Sequence, residues 1–309
     1  VPLWKAMSFG VLGTVALLVI ASSNQGIGLG SAQLPSAPTP PAPTPVSPRS
    51  AQPNVSSPTS EAVSTEMLKL AGVASQDTVY HISSGDGQLV IAAVKQFGAK
   101  RGVGIEASPD LVSLSKENAQ KAGVGDRVQF LQQEPSQANF REASVVTLDL
   151  KPDADLKLRT KLFKELKPGT RIVSNSLTMG DWLPDKVVPV PGTSSQQLLY
   201  YWVVPANVAG DWQGNLEYVP GRRQSYTIRF AQQFQRVKGD VLVNKQKYYI
   251  SKIALKGNAL TFSRTETIQG QRGIAEFKGR VEGDTLKGVI AVQWGPLSRN
   301  FPIVAKRSS

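Results

Sequence analysis

The pattern of apolar and polar positions changes character along the chain. Between Glu61 and Pro205, short apolar runs alternate with segments of helical period. Glu61 to Ala74 predicts a helix with Val63, Met67, Leu68 and Val73 on one face. A strand follows from Thr78 to Ile82, then a turn at Gly85-Asp86-Gly87 and a helix from Gln88 to Phe97. The second strand is Gly102 to Glu106, and Ser108-Pro109-Asp110 opens a helix to about Ala122, with a serine cap, an early proline and an acid at the positive end. "DRVQFLQQ" and "ASVVTLDL" predict strands three and four, "DADLKLRTKLFKEL" a helix, and "TRIVSNSL" strand five. Five strands alternating with helices imply a parallel sheet with crossovers on both faces. "DKVVPVPG" and "SSQQLLYYWVV" then read as two strands joined by a turn, an antiparallel edge to that sheet.

After Ala209 the period is two throughout. Seven or eight short antiparallel strands predict a small barrel-like domain, with turns at Gly239-Asp240, Gly257-Asn258 and Gly283-Asp284. Trp212 is expected in its core or as a plug at the barrel end. Ahead of both regions, Met7 to Ala21 is an uncharged run of 15 residues within the apolar stretch Pro2 to Ala21. That length suits a signal-peptide core, and the whole stretch could just serve as a membrane anchor. Gly30-Ser31-Ala32 is a small-x-small sequence of the kind a signal peptidase cuts. Gln33 to Ser60 is rich in proline and is expected to be an extended linker. The expected organisation is thus a signal peptide or membrane anchor over 1–32, a disordered linker over 33–60, a Rossmann-like domain over 61–205 and an antiparallel β domain over 206–309. The expected location is the periplasm, or a bacterial membrane holding the N-terminal segment.

Composition removes several chemistries. The chain has no cysteine, which excludes disulfides, thiolate metal sites and a cysteine nucleophile. His81 is its one histidine, so a multi-histidine metal site is excluded too, and no metal is expected. The net charge of +12 is uneven: residues 205–309 hold 17 basic and 7 acidic side chains, whereas residues 61–204 hold 16 of each. The basic C-terminal region suits an anionic membrane surface or an acidic protein. It carries no aromatic-basic motif of a nucleic-acid reader, and the export signal argues against that partner.

In a sheet of the predicted kind, ligands bind beyond the carboxyl ends of the strands. Gly85 and Gly87 let backbone approach a ligand closely. Glu106, at the end of strand two, is placed to accept hydrogen bonds from a ribose, at nearly the offset from the glycine turn that a dinucleotide-type acid has. Glu134, after strand three, could accept from an adenine amino group, and Asp149, ending strand four, could orient or deprotonate a second substrate. Asp86 could serve the turn itself by accepting backbone donors.

The segments "VYHISSGDGQLVIAAVKQFGAKRGVGIEASPDLV", "ENAQKAGVGDRVQF", "LKPGTRIVS" and "MGDW" resemble class I S-adenosylmethionine-dependent methyltransferases over roughly Glu61 to Pro205. Within that class they are similar to a bacterial exported subgroup. The resemblance implies S-adenosylmethionine as cofactor, Gly85 and Gly87 in the cofactor turn, Glu106 on the ribose, Glu134 on the adenine and Asp149 near the transferred methyl. It also implies departures. The family turn reads acid-x-Gly-x-Gly-x-Gly, and here His81 holds the acid position and Ser83 the first glycine position. The expected function is methyl transfer to an unknown acceptor. The alternative is a binding or scaffold protein that kept the fold and lost the donor grip, and weak or absent donor binding is expected from His81 and Ser83.

Overall fold

The structure, a computed structural model, describes residues 60–149, 156–176, 178–191, 197–219, 221–244, 246–268 and 271–308. The expected leader and linker lie outside these residues, apart from Ser60. Ser60 caps α1 (Glu61–Ala71), its hydroxyl accepting from the Val63 N–H. The helix stops three residues earlier than its apolar pattern suggests, because Gly72 takes a left-handed conformation, φ 60°, and returns its N–H to Leu68 and Lys69. Then follow β1 (Thr78–Ile82), α2 (Gln88–Lys95), β2 (Arg101–Glu106), α3 (Pro109–Lys121), β3 (Val128–Gln132), β4 (Val145–Leu148), α4 (Leu156–Glu165) and β5 (Arg171–Asn175). β6 (Lys186–Pro189) and β7 (Leu198–Val203) complete this part.

The seven strands form one sheet in the order β3-β2-β1-β4-β5-β7-β6. β1 to β5 are parallel, and β7 runs antiparallel between β5 and β6. The antiparallel edge is therefore a hairpin whose second strand inserts next to β5. One face buries Val79, Val145 and Val173 against α1, α2 and α3. The other buries Ile82, Val146, Leu148 and Ile172 with Phe140, Leu162 and Trp182. Strands covered on both faces explain why β4, "VVTL", is wholly buried.

The second region forms a nine-stranded antiparallel sheet from β8 (Gly210–Val219), β9 (Arg222–Gln233), β10 (Arg236–Val243), β11 (Gln246–Tyr249), β12 (Ser251–Lys256), β13 (Ala259–Ile268), β14 (Gln271–Glu282), β15 (Thr285–Trp294) and β16 (Leu297–Arg307). Their order is β11-β10-β9-β8-β16-β15-β14-β13-β12. The two end strands, β11 and β12, are consecutive in the chain with only Ile250 between them, so the sheet curls round nearly to closure. Trp212 is fully buried in its core, and its indole N–H donates to the Val208 carbonyl at 2.8 Å.

Gly257-Asn258 and Gly283-Asp284 are turns as expected. Gly239-Asp240 is not: it lies within β10, and the chain reverses instead at Phe234-Gln235. Gly239 pairs with Phe230 across the ladder, and a Cβ there would stand 2.5 Å from the Arg229 carbonyl and 2.8 Å from the Phe230 ring. This glycine makes room for an aromatic neighbour rather than for a bend.

Phe234 ties the two regions together. It stacks on Trp182 at 5.6 Å and meets Phe163 edge-on, also at 5.6 Å. The neighbouring Gln235 amide donates to the Leu183 carbonyl at 2.7 Å.

Candidate active site

The site is built at the carboxyl ends of β1, β2, β4 and β5. After β1 the chain makes three positive-φ steps, Ser83 at 61°, Gly85 at 56° and Gly87 at 82°. The two glycines serve different ends. A Cβ on Gly87 would stand 2.7 Å from the Phe130 ring and 3.0 Å from Ser115 Cβ, so Gly87 lets the turn pack on β3 and α3. A Cβ on Gly85 meets nothing within 4 Å, so Gly85 borders open space. Helix α3 holds the turn from outside: Ser115 Oγ donates to the Gly85 carbonyl at 2.8 Å and Asn118 Nδ2 to the Asp86 carbonyl at 3.0 Å. The Asp86 carboxylate accepts the Gln88 N–H at 3.3 Å, a bond inside the turn.

Register places the ends of β1 and β2 side by side, Ile82 opposite Ile105. Glu106 is buried there, 9% exposed. Its Oε2 accepts the Gly85 N–H at 3.0 Å and its Oε1 the Ser108 N–H at 3.1 Å. Each carboxylate oxygen offers a second lone pair, so Glu106 is fixed in place and keeps acceptor capacity.

His81 is 2% exposed. Its Nδ1 lies 3.2 Å from the Thr147 carbonyl and 2.9 Å from Thr147 Oγ1, while that hydroxyl donates to the Tyr80 carbonyl at 3.3 Å. Burial holds the imidazole pKa below its ordinary 6.5, outweighing the upward pull of Asp149, the Thr147 carbonyl, Glu106 and Asp86. The ring is therefore neutral at pH 7 among three carboxylates.

Asp149 follows β4 and accepts from Asn175 Nδ2 at 3.0 Å. Asn175 Oδ1 in turn accepts from Gln197 Nε2 at 2.7 Å and from Ser176 Oγ at 3.2 Å. Ser176 carries a positive φ of 62°, a conformation found at strained functional positions. Sequence reasoning missed Asn175 and Gln197. The position of Asn175 at the end of a parallel strand was a readable signal; Gln197 joins only because β7 inserts beside β5. Glu134 stands apart: it is exposed in the loop after β3, with its carbonyl accepting the Gln137 N–H at 2.9 Å. Among the described residues no cluster of acidic side chains and His81 could hold a metal.

A parallel sheet ending in a glycine turn, with an adjacent buried carboxylate and an open face over Gly85, defines a nucleotide-type ligand site. The comparisons with known proteins narrow it. Residues 82–186 match the ANTKMT methyltransferase domain. A protein-lysine N-methyltransferase of Saccharolobus islandicus is 35% identical over 144 residues, which are 47% of this chain and 89% of that protein. The adenine nucleotide translocase lysine N-methyltransferase of Mus musculus is 34% identical over 35% of this chain and 46% of its own length. The chain thus spans nearly all of the archaeal relative and about half of the mouse one. Among solved structures, an RNA methyltransferase from Salinibacter ruber in complex with S-adenosyl-L-homocysteine has 45% identity and a TM-score of 0.46, over 49% of this chain and 96% of that one.

The chain belongs to the class I S-adenosylmethionine-dependent methyltransferases. The cofactor of that family is S-adenosylmethionine. The residues fit it: Gly85 leaves room for a ligand, Glu106 retains acceptors for hydroxyls, and the carboxylates around His81 suit a cation.

Proposed function

We propose that the protein is a protein-lysine N-methyltransferase. The supporting observation is the identity to the archaeal lysine methyltransferase along 89% of that protein's length. When bound, S-adenosylmethionine supplies an electrophilic methyl group on a sulfonium. Gly85 and Glu106 would hold it at the β1 and β2 ends, with Gly87 letting the turn pack behind them and Glu134 on the adenine side. Asp149, steadied by Asn175 and Gln197, would meet the acceptor. A lysine arrives as an ammonium, and a carboxylate both attracts that cation and can take its proton. Alignment of the free amine with the methyl then supplies much of the rate.

The test is incubation of the full chain with methyl-labelled S-adenosylmethionine and a bacterial protein extract, followed by acid hydrolysis. Label in methyl-lysine supports the reading. Label in methylarginine or in co-purified RNA, or none, overturns it. Asp149→Asn is expected to lower incorporation at least tenfold at saturating S-adenosylmethionine.

A second reading is a binding protein without turnover, favoured by His81 and Ser83 in place of the acid and first glycine of the family turn. Donor binding without label transfer to any acceptor would select it. The basic residues of the β domain support docking to an anionic membrane surface or an acidic protein. The apolar run Met7 to Ala21 supports export or anchoring. No helix among the described residues is long and apolar enough to cross a membrane.

A further inference from the structure

The core of the β region fixes which way each residue of β14, β15 and β16 points. Phe277, Val281, Leu286, Ile303 and Ala305 are buried, so the residues alternating with them face outward. Register sets the outward rows. Arg280 stands beside Lys287, and Lys287 beside Val304; Lys278 stands beside Val289, and Val289 beside Pro302. Lys306 lies two residues beyond Val304 on the same face, and all seven side chains are exposed. Val289 and Val304 are diagonal neighbours, 43% and 51% exposed. The charges here are unusual for a sheet surface. Thr285 to Arg307, the whole β15–β16 hairpin, contains no acidic residue. Arg280 and Lys287 are like charges directly across a ladder, an arrangement that costs stability. Glu282, 3.1 Å from Lys287 Nζ, offsets one of them, and Glu276 is the other acid on this face. Lys278 and Arg280 have no ion-pair partner among the described residues. The outward positions hold no aromatic ring on which a nucleic-acid base could stack. What the cations border is aliphatic. A lipid interface answers both chemistries, with phosphates for the cations and an apolar boundary for the valines.

We propose that the outward face of β14–β16 docks on an anionic phospholipid bilayer, with Val289 and Val304 entering the interface and Lys278, Arg280, Lys287 and Lys306 among the lipid phosphates. The inference rests on the docking reading above and adds to it the face, the residues and the occupant. An acidic protein would use the cations and leave the two valines in water, so the valines distinguish the partners.

Lysine acetylation read by mass spectrometry locates the face directly, whatever the N-terminal segment does. The full chain is acetylated alone, with phosphatidylglycerol vesicles and with phosphatidylcholine vesicles. Phosphatidylglycerol should protect Lys278, Lys287 and Lys306 several-fold, and phosphatidylcholine should not. Lys121 on α3, Lys164 on α4, Lys238 on β10 and Lys247 on β11 should react alike in all three samples. The lipid concentration that half-protects Lys287 should rise at least about tenfold in the variant Lys278→Gln, Arg280→Gln, Lys306→Gln. It should rise at least about threefold in Val289→Ser, Val304→Ser. These positions are exposed, so the variants keep the fold, which unchanged urea unfolding confirms. Protection confined to Lys238, Lys247 or other lysines of the β region overturns this face and leaves the docking reading standing. Protection of the three lysines by polyglutamate but not by vesicles, or indifference to the valine changes, overturns the bilayer as occupant. No protection by vesicles or by polyglutamate overturns the docking reading as well.

Discussion

Glu106 and Gly85 lie 21 residues apart and share a 3.0 Å hydrogen bond from the Gly85 N–H to the Glu106 carboxylate. This one contact makes the turn after β1 and the end of β2 a single rigid unit. Removing the carboxylate therefore strips a backbone donor of its partner as well as removing a ligand contact. Glu106→Ala should cost about 2 kcal/mol in denaturant unfolding and weaken S-adenosylmethionine at least tenfold by calorimetry. Unchanged affinity would refute the ribose placement.

The two glycines of the turn should separate stability from binding. Gly87→Ala forces a methyl against Phe130 at a φ of 82° and should cost roughly 2–4 kcal/mol. Gly85→Ala has space and should cost only about 1 kcal/mol, from its left-handed backbone. Its methyl group would enter the ligand space, so donor affinity should fall sharply while the melting temperature barely moves.

Ser83 holds a φ of 61° that a side chain tolerates poorly. Ser83→Gly should therefore stabilise the protein by about 1 kcal/mol, less the extra freedom glycine has when unfolded. Equilibrium unfolding in urea checks the sign, and a destabilised variant would show that Ser83 makes a compensating contact.

His81 should leave a mark on stability versus pH. Its folded pKa lies below 6.5, so the unfolded chain binds the proton more readily. Its contribution is complete above that value and is lost as pH falls, with a slope of up to about 1.4 kcal/mol per pH unit down to the folded pKa. His81→Phe should flatten the curve between pH 6.5 and the onset of carboxylate titration, measured by urea unfolding at each pH.

Much of this was legible in the sequence because it is local. Thr78–Ile82 stands as read, the serine cap of α3 is where Ser108 placed it, and Glu106 sits beside the Gly85 turn as the spacing required. What escaped was set by distant partners. Gly239 looked like a turn because glycine-aspartate pairs usually are; only the ladder to β9 shows that Phe230 needs the space. The true reversal uses Phe234 at a φ of 54°, a residue no turn rule selects, because its ring is recruited by Trp182. Gln197 joins Asn175 through strand order alone, which no local pattern contains.

Among its described residues the link between β5 and β6 has no helix, and Trp182 within it is fully buried. A parallel crossover usually brings its own helix to roof the sheet. Here the Phe234 ring, borrowed from the β9–β10 turn, lies on Trp182 in that place. The β region is thus masonry for the Rossmann-like half rather than an annex to it, and a fragment cut after Pro205 would be left with a hole in its wall.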